Sequence, residues 1–238
     1  MRKTGVLLHV YNLDAANWEH IVWGKPDADQ LGCMPKLCQL LLTENLEAPI
    51  ERIVIFSGPS SKGGLREGEY TKKFLLDNLR RITDFPSIKQ LAEEMPERFA
   101  RLPSRIEKIA TDGDLQRTSD EVARAVQAFP YPEFHHVIQV ACASHAPRCM
   151  QLQSFARAEG HIASGQLWSV VASATFFPGT EPYDTVIFEK PHLDYDPMHG
   201  FAPHAPEVLR RYFALSPEEK RMFLQQSQRF MDDHGPAV

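Results

Sequence analysis

Arg52-Ile53-Val54-Ile55-Phe56-Ser57-Gly58-Pro59 is the stretch on which the fold turns. Ile53 to Phe56 are consecutively apolar, three of them β-branched, with no polar alternation. A run of this kind reads as a strand covered on both faces. It stops at Ser-Gly-Pro, a loop signal. A two-sided strand belongs in a parallel sheet, because βαβ crossovers lay helices over both faces.

The same rhythm of strand, polar loop and helix extends in both directions. Val6 to Tyr11 reads as the first strand. Asp14 is placed to cap a short helix carrying Trp18 and Trp23, with His20 to Trp23 as an alternative strand. Met34 to Glu44, Glu67 to Leu79 and Ile88 to Phe99 read as helices, the last ending near Pro103, and Ile106 to Ala110 as a weak strand. Thr118 to Phe129 has Val122, Ala125, Val126 and Phe129 at helical spacing. His136 to Ala141 is a strand, Arg148 to Glu159 a helix, and 168–171 and 185–188 two more strands. The expected fold class is α/β, a mostly parallel sheet with helices on both faces. From about Pro191 a loop rich in His, Pro and Asp leads to two extra C-terminal helices, Pro206 to Ala214 and Pro217 to Phe230. The second starts well: Ser216 caps, Pro217 fits the first turn, and Glu218 and Glu219 favour the helix dipole. The expectation is a single domain over 1–238, with its core in about 1–190 and the loop and helices in 191–238.

Composition narrows the function. The chain has 238 residues, 43% hydrophobic and 24% charged, with a net charge of −5. That is globular, long enough for a sizeable core, and lacks the basic stripe of a nucleic-acid binder. No apolar run approaches the roughly 20 residues of a membrane span, and the N-terminal stretch is too short for an export signal. Cys33, Cys38, Cys142 and Cys149 form no CxxC pair. Free thiols in a reducing compartment, hence a cytoplasmic location, is the expectation.

In an open parallel sheet, ligands bind beyond the carboxyl ends of the strands. The polar segments here follow the strands: Asn12 and Asp14, Ser57 to Gly64, Asp112 to Asp114, and Ser144-His145. In the loop Ser57-Gly58-Pro59-Ser60-Ser61-Lys62-Gly63-Gly64, small residues open backbone N–H groups to an anion, hydroxyls add donors and Lys62 adds charge. It has neither Walker A nor GxGxxG spacing, and a solvated turn is the structural alternative. In Cys142-Ala143-Ser144-His145-Ala146-Pro147-Arg148, Ser144 is placed to cap a helix with Pro147 in its first turn. His145 and Arg148 then sit at the positive helix end, where Arg148 attracts phosphate or carboxylate and His145 can move a proton. A capped helix with exposed His and Arg is the bland alternative. Thr118 and Glu121 have capping-box spacing, sufficient to explain both. His192, Asp194, Asp196, His199 and His204 are metal-compatible types, but they lie in a loop without helical HxxxH spacing. No residue is set down as a metal ligand on this pattern, and no GxSxG elbow marks a serine hydrolase.

Phe56-Ser57-Gly58, then Glu67 or Glu69, then Thr118-Ser119-Asp120-Glu121, then Ser144-His145-Ala146-Pro147-Arg148 resembles, in order and spacing over about Ile21 to Gly160, the conserved-domain family DUF218 of YdcF, SanA and ElyC types. Gly58-Pro59 stands where the family pattern has Gly-Gly, Glu121 where it has Asn, and the anchor of its envelope-associated members is absent. The resemblance implies a Rossmann-like fold with a pocket between the Ser-Gly loop and the His/Arg loop. The expected partner is a small anionic or nucleotide-like ligand. It would be held by Asn12, Ser57, Gly58, Ser60, Ser61, Lys62, Thr118, Ser144 and Arg148, with His145 as acid/base and Glu69 or Glu121 orienting it. A non-catalytic nucleotide-sensing module and a metal-dependent hydrolase built on the 192–204 loop are the competing readings. No cofactor, nucleic acid or membrane partner is named by the sequence.

Overall fold

Five strands lie side by side in one parallel sheet: β1 (Lys3–Leu8), β4 (Ile50–Phe56), β7 (Ala110–Asp112), β8 (Phe134–Ala141) and β9 (Leu167–Ala172). The computed structural model describes residues 2–15, 17–113, 115, 118–175, 216, 218–219 and 221–222. The chain divides into two units, Met1–Pro182 and Tyr183–Val238. The sheet belongs to the first.

The strand order is β7-β4-β1-β8-β9, all pairs parallel. The chain builds outward from β1 through β4 to β7, then returns to lay β8 on the other side of β1. This is the doubly wound, Rossmann-like arrangement, and its switch point falls between β1 and β8. Two-residue ribbons, β2 (Gly24–Lys25) with β3 (Gln30–Leu31) and β5 (Ser61–Lys62) with β6 (Leu65–Arg66), decorate the loops.

Side-chain alternation splits the core in two. Val6 and Leu8 of β1 and Ile53 and Ile55 of β4 meet α1 (Trp18–Val22), α2 (Cys33–Leu42), α3 (Glu67–Asn78), α4 (Pro86–Glu94) and α5 (Pro96–Glu107). Leu7, Val54, Phe56 and Val137 face the opposite way, onto α6 (Thr118–Ala128) and α7 (Ala146–Ala158). Burial of each such Leu, Ile, Val or Phe contributes roughly 1.5–3 kcal/mol, which holds both helical layers to the sheet.

Several local expectations are corrected. The helix expected over 88–99 is two helices, because Met95 (φ −130°, ψ 57°) precedes Pro96, and a residue before proline is disfavoured in helix. Pro103 does not end the second of these. It sits inside α5, held there by Leu102 and Ile106, which are buried on either side of it. The weak strand expected at 106–110 is therefore helix to Glu107, with the strand at Ala110–Asp112. The first strand leaves the ladder after Leu8 rather than reaching Tyr11. Trp18–Val22 is helix, not strand, burying Trp18, Ile21 and Val22 on one face; its N-cap is Asn17, not Asp14. The strand expected at 185–188, the 192–204 loop and the helix at 206–214 lie outside the described residues. Of the last helix, Glu218, Glu219, Arg221 and Met222 are helical. Ser216 N–H donates to Glu219 Oε2 (2.7 Å) and Glu219 N–H to Ser216 Oγ (3.3 Å), so the expected cap forms. Among the described residues no helix is long and apolar enough to cross a membrane.

Candidate functional site

At the switch point the chain leaves β1 at His9 and leaves β8 at Cys142, and α6 delivers Thr118 and Glu121 between them. Just past the end of β1, His9 donates its backbone N–H to Val140 O (2.9 Å), which fixes its backbone beside β8. The ring is buried. Nδ1 donates to Glu121 Oε2 at 2.7 Å and Nε2 donates to Gln139 Oε1 at 2.9 Å. Gln139 Nε2 in turn donates to Gln153 Oε1 (2.8 Å), which orients the amide with its oxygen toward His9. An imidazole that donates from both nitrogens is an imidazolium. Burial alone would lower its pKa, but the neighbouring Cys149 and Glu121 outweigh burial and raise it well above the ordinary histidine value.

His145 meets His9 edge to face, ring centroids 5.4 Å apart, with Nε2 3.5 Å from Thr118 Oγ1. Enclosure first, then the charges of His9 and Arg148, push its pKa down to about 3. Two adjacent imidazoles thus divide the roles: His9 holds a proton and His145 stays neutral. His145 is also the N-cap residue of α7, with Pro147 in the first turn as expected. Ser144 does not cap the helix; its hydroxyl lies 3.6 Å from Cys142 Sγ. Arg148 is exposed at the positive end of α7, where the N–H groups of His145 and Ala146 are taken by Cys142 O (2.9 and 3.0 Å) and Pro147 has none.

These groups surround a cavity of about 250 Å³, the space of roughly eight water molecules. Its polar lining is His9, Asn12, Thr118, Glu121, His145 and Arg148; Val10, Tyr11, Ile21, Val22, Cys33 and Cys142 complete it. Burial pushes the Cys142 thiol up to about 11 and raises Cys33 as well, so both act as apolar wall.

Of the residues expected from sequence, Asn12, Thr118, Glu121, His145 and Arg148 line this cavity, and Ser57, Gly58, Ser60, Ser61, Lys62, Glu69 and Ser144 do not. The Ser-Gly loop is closed on itself. Ser57 N–H donates to Asp112 O (2.7 Å), Gly58 N–H to Glu67 Oε2 (2.7 Å), and Ser60 Oγ to Glu67 Oε1. Ser60 Oγ also accepts Leu13 N–H (2.9 Å), tying this loop to the one after β1. Ser61 and Lys62 form the exposed β5–β6 ribbon, with Lys62 Nζ 5.4 Å from the centre of the Tyr70 ring. Glu69 accepts Arg66 N–H at the start of α3 (3.1 Å). Glu121 turns its carboxylate to His9.

Sequence reasoning missed His9, Gln139, Tyr11 and Cys149. A signal existed for the first two: each is a polar residue interrupting an apolar strand, and such residues are buried only when hydrogen-bonded.

The class these features define is a Rossmann-like α/β protein with a polar cavity at its switch point. No protein-family model, no curated protein and no solved structure matches the chain.

Proposed function

We propose that this protein binds a small anionic or nucleotide-like ligand in the switch-point cavity, with Arg148 and the N-terminus of α7 holding the anion. The observation that carries the reading is the convergence of Asn12, Thr118, Glu121, His145 and Arg148, from three separate chain segments, on one cavity at the carboxyl ends of β1 and β8. Arg148 carries a permanent charge, and thirteen residues of helix align their dipoles behind it. Thr118 and neutral His145 supply hydrogen bonds without adding charge. The apolar wall of Val10, Tyr11, Ile21 and Val22 suits the uncharged body of such a ligand. The resemblance to DUF218 over Thr118–Glu121 and Ser144–Arg148 supports only the His/Arg side of this pocket, since the Ser-Gly loop it also implies lies outside the cavity. A cytoplasmic location is part of this reading, since all four cysteines are free and buried, as suits a reducing compartment.

Calorimetry of the full chain against inorganic phosphate and a panel of small phosphorylated and carboxylated metabolites tests it. A charge-assisted bond contributes roughly 1.5–3 kcal/mol, so Arg148→Ala should weaken the best anion about tenfold or more. Arg148→Lys should recover only part, because Lys lacks the planar fork. Unchanged affinity in a folded Arg148→Ala protein, or no binding of any anion by the wild type, overturns the proposal.

A further inference from the structure

We propose that His9, His145 and Cys149 form a binding site for a divalent transition-metal ion, Zn²⁺ foremost, whose open coordination position faces the cavity. The site shares the cavity with the anion but does not depend on the anion reading. One ring nitrogen of each histidine and Cys149 Sγ all lie within 4.8 Å of one another. Two imidazoles and a thiolate are the donor set that zinc selects, and three protein ligands with one open position is the pattern of its reactive sites.

The fold assembles the trio from two elements. His145 and Cys149 stand four residues apart at the start of α7, and Cys149 N–H donates to His145 O (3.2 Å), so the intervening turn is helical and both side chains share a face. His9 arrives from the end of β1, held by the ladder. Tetrahedral bonds of about 2.0–2.3 Å place ligand atoms roughly 3.3–3.8 Å apart, so the donors close by about 1 Å on an ion. His145, half-buried and at the cap rather than within the helix, takes up that movement. His9 has both nitrogens engaged and must surrender one bond. The bond to the neutral Gln139 amide is the weaker, and the bond to Glu121 (2.7 Å) is charge-assisted. Retaining it makes Glu121 the carboxylate that orients a metal-bound histidine and raises its basicity. Loading displaces one ring proton of His9 and the Cys149 thiol proton to solvent, and one divalent ion against the Cys149 thiolate and the Glu121 carboxylate then leaves the buried cluster neutral. His9 and His145 both line the cavity, which puts the remaining coordination position toward it.

The test is a Co²⁺ titration of the chelator-treated full chain, followed by visible and near-ultraviolet absorption, then displacement by Zn²⁺. The expected result is one ion per chain, with a thiolate-to-cobalt charge-transfer band and the intense d–d bands of a tetrahedral site. Glu121→Gln should keep the bands and weaken Zn²⁺ about 10–100-fold. Cys149→Ser should lose the charge-transfer band and weaken Zn²⁺ beyond that range. Lys62→Ala should leave the metal affinity unchanged, since Lys62 stands on an exposed ribbon outside the cavity. A wild-type protein without the charge-transfer band at saturating Co²⁺ overturns the proposal, and this outcome needs no variant to fold. Zn²⁺ affinity unchanged in Cys149→Ser overturns it equally. Phosphate binding that depends on Arg148 in a protein lacking the cobalt band removes the metal site and leaves the anion reading standing. The cobalt band without any anion binding does the reverse.

Discussion

Replacing His9 by Leu tests whether the buried network at the switch point is a structural keystone. Leu fills a similar volume but abolishes two hydrogen bonds, to Glu121 at 2.7 Å and to Gln139 at 2.9 Å. The first is charge-assisted and contributes roughly 1.5–3 kcal/mol; the second is to a neutral amide and contributes roughly 0.5–1.5 kcal/mol. Glu121 is left with a carboxylate only 16% exposed, a further penalty of roughly 1–3 kcal/mol. Burying the Leu side chain offsets that last term by a similar amount. The net expectation is a loss of about 3 kcal/mol, in the range found when one partner of a buried pair is removed. Urea unfolding followed by the fluorescence of the buried Trp18, Trp23 and Trp168 measures it. With a typical slope near 2 kcal/mol per molar urea, the midpoint should fall by about 1.5 M. His9→Leu combined with Glu121→Leu removes the stranded carboxylate, so the double variant should be more stable than the single one by about 1 kcal/mol or more. A single variant within 1 kcal/mol of wild type, or a double variant no better than the single, would refute the reasoning.

Glu67→Ala removes the buried carboxylate that accepts Gly58 N–H and Ser60 Oγ, and should cost about 3 kcal/mol or more by the same denaturation measurement; a loss below 1 kcal/mol would mean the loop is held by other means. Gly5→Ala would place a methyl 2.3 Å from Phe129 Cδ1 in a packed core, so calorimetric melting should show roughly 1–3 kcal/mol of destabilisation, whereas unchanged melting would show that the ring moves aside. Lys62→Ala should leave anion affinity in calorimetry unchanged, since Lys62 stands over Tyr70 on an exposed ribbon outside the cavity; a tenfold loss would bring the 57–64 loop into the site.

What the sequence by itself determined is whatever depends on short-range periodicity. The unbroken apolar run at Ile53–Phe56, the helical spacing of Val122, Ala125 and Phe129, and the Ser216–Glu219 start were all legible, because burial pattern and caps act within a few residues. The placement of Asn12, His145 and Arg148 beyond strand ends followed from the same alternation and the rule for parallel sheets. Only the tertiary structure decided the rest. Strand order depends on which two-sided strands pair, and β1, β4 and β8 are similar apolar runs whose neighbours are set by crossovers dozens of residues long. Thr118 and Glu121 read locally as a capping box, yet Glu121 turns to a histidine 112 positions away, because a buried imidazolium draws a carboxylate more strongly than a solvated helix end does. The Ser-Gly loop read as an open anion cradle, but Glu67 takes up the Gly58 N–H and the Ser60 hydroxyl. His9 and Gln139 stand in the sequence as polar interruptions of apolar strands, and Cys149 as one of four cysteines without a pairing motif. They become a site only because the sheet sets β1 beside β8 and α7 closes over them, and pairings across more than a hundred residues leave no periodic trace in the chain.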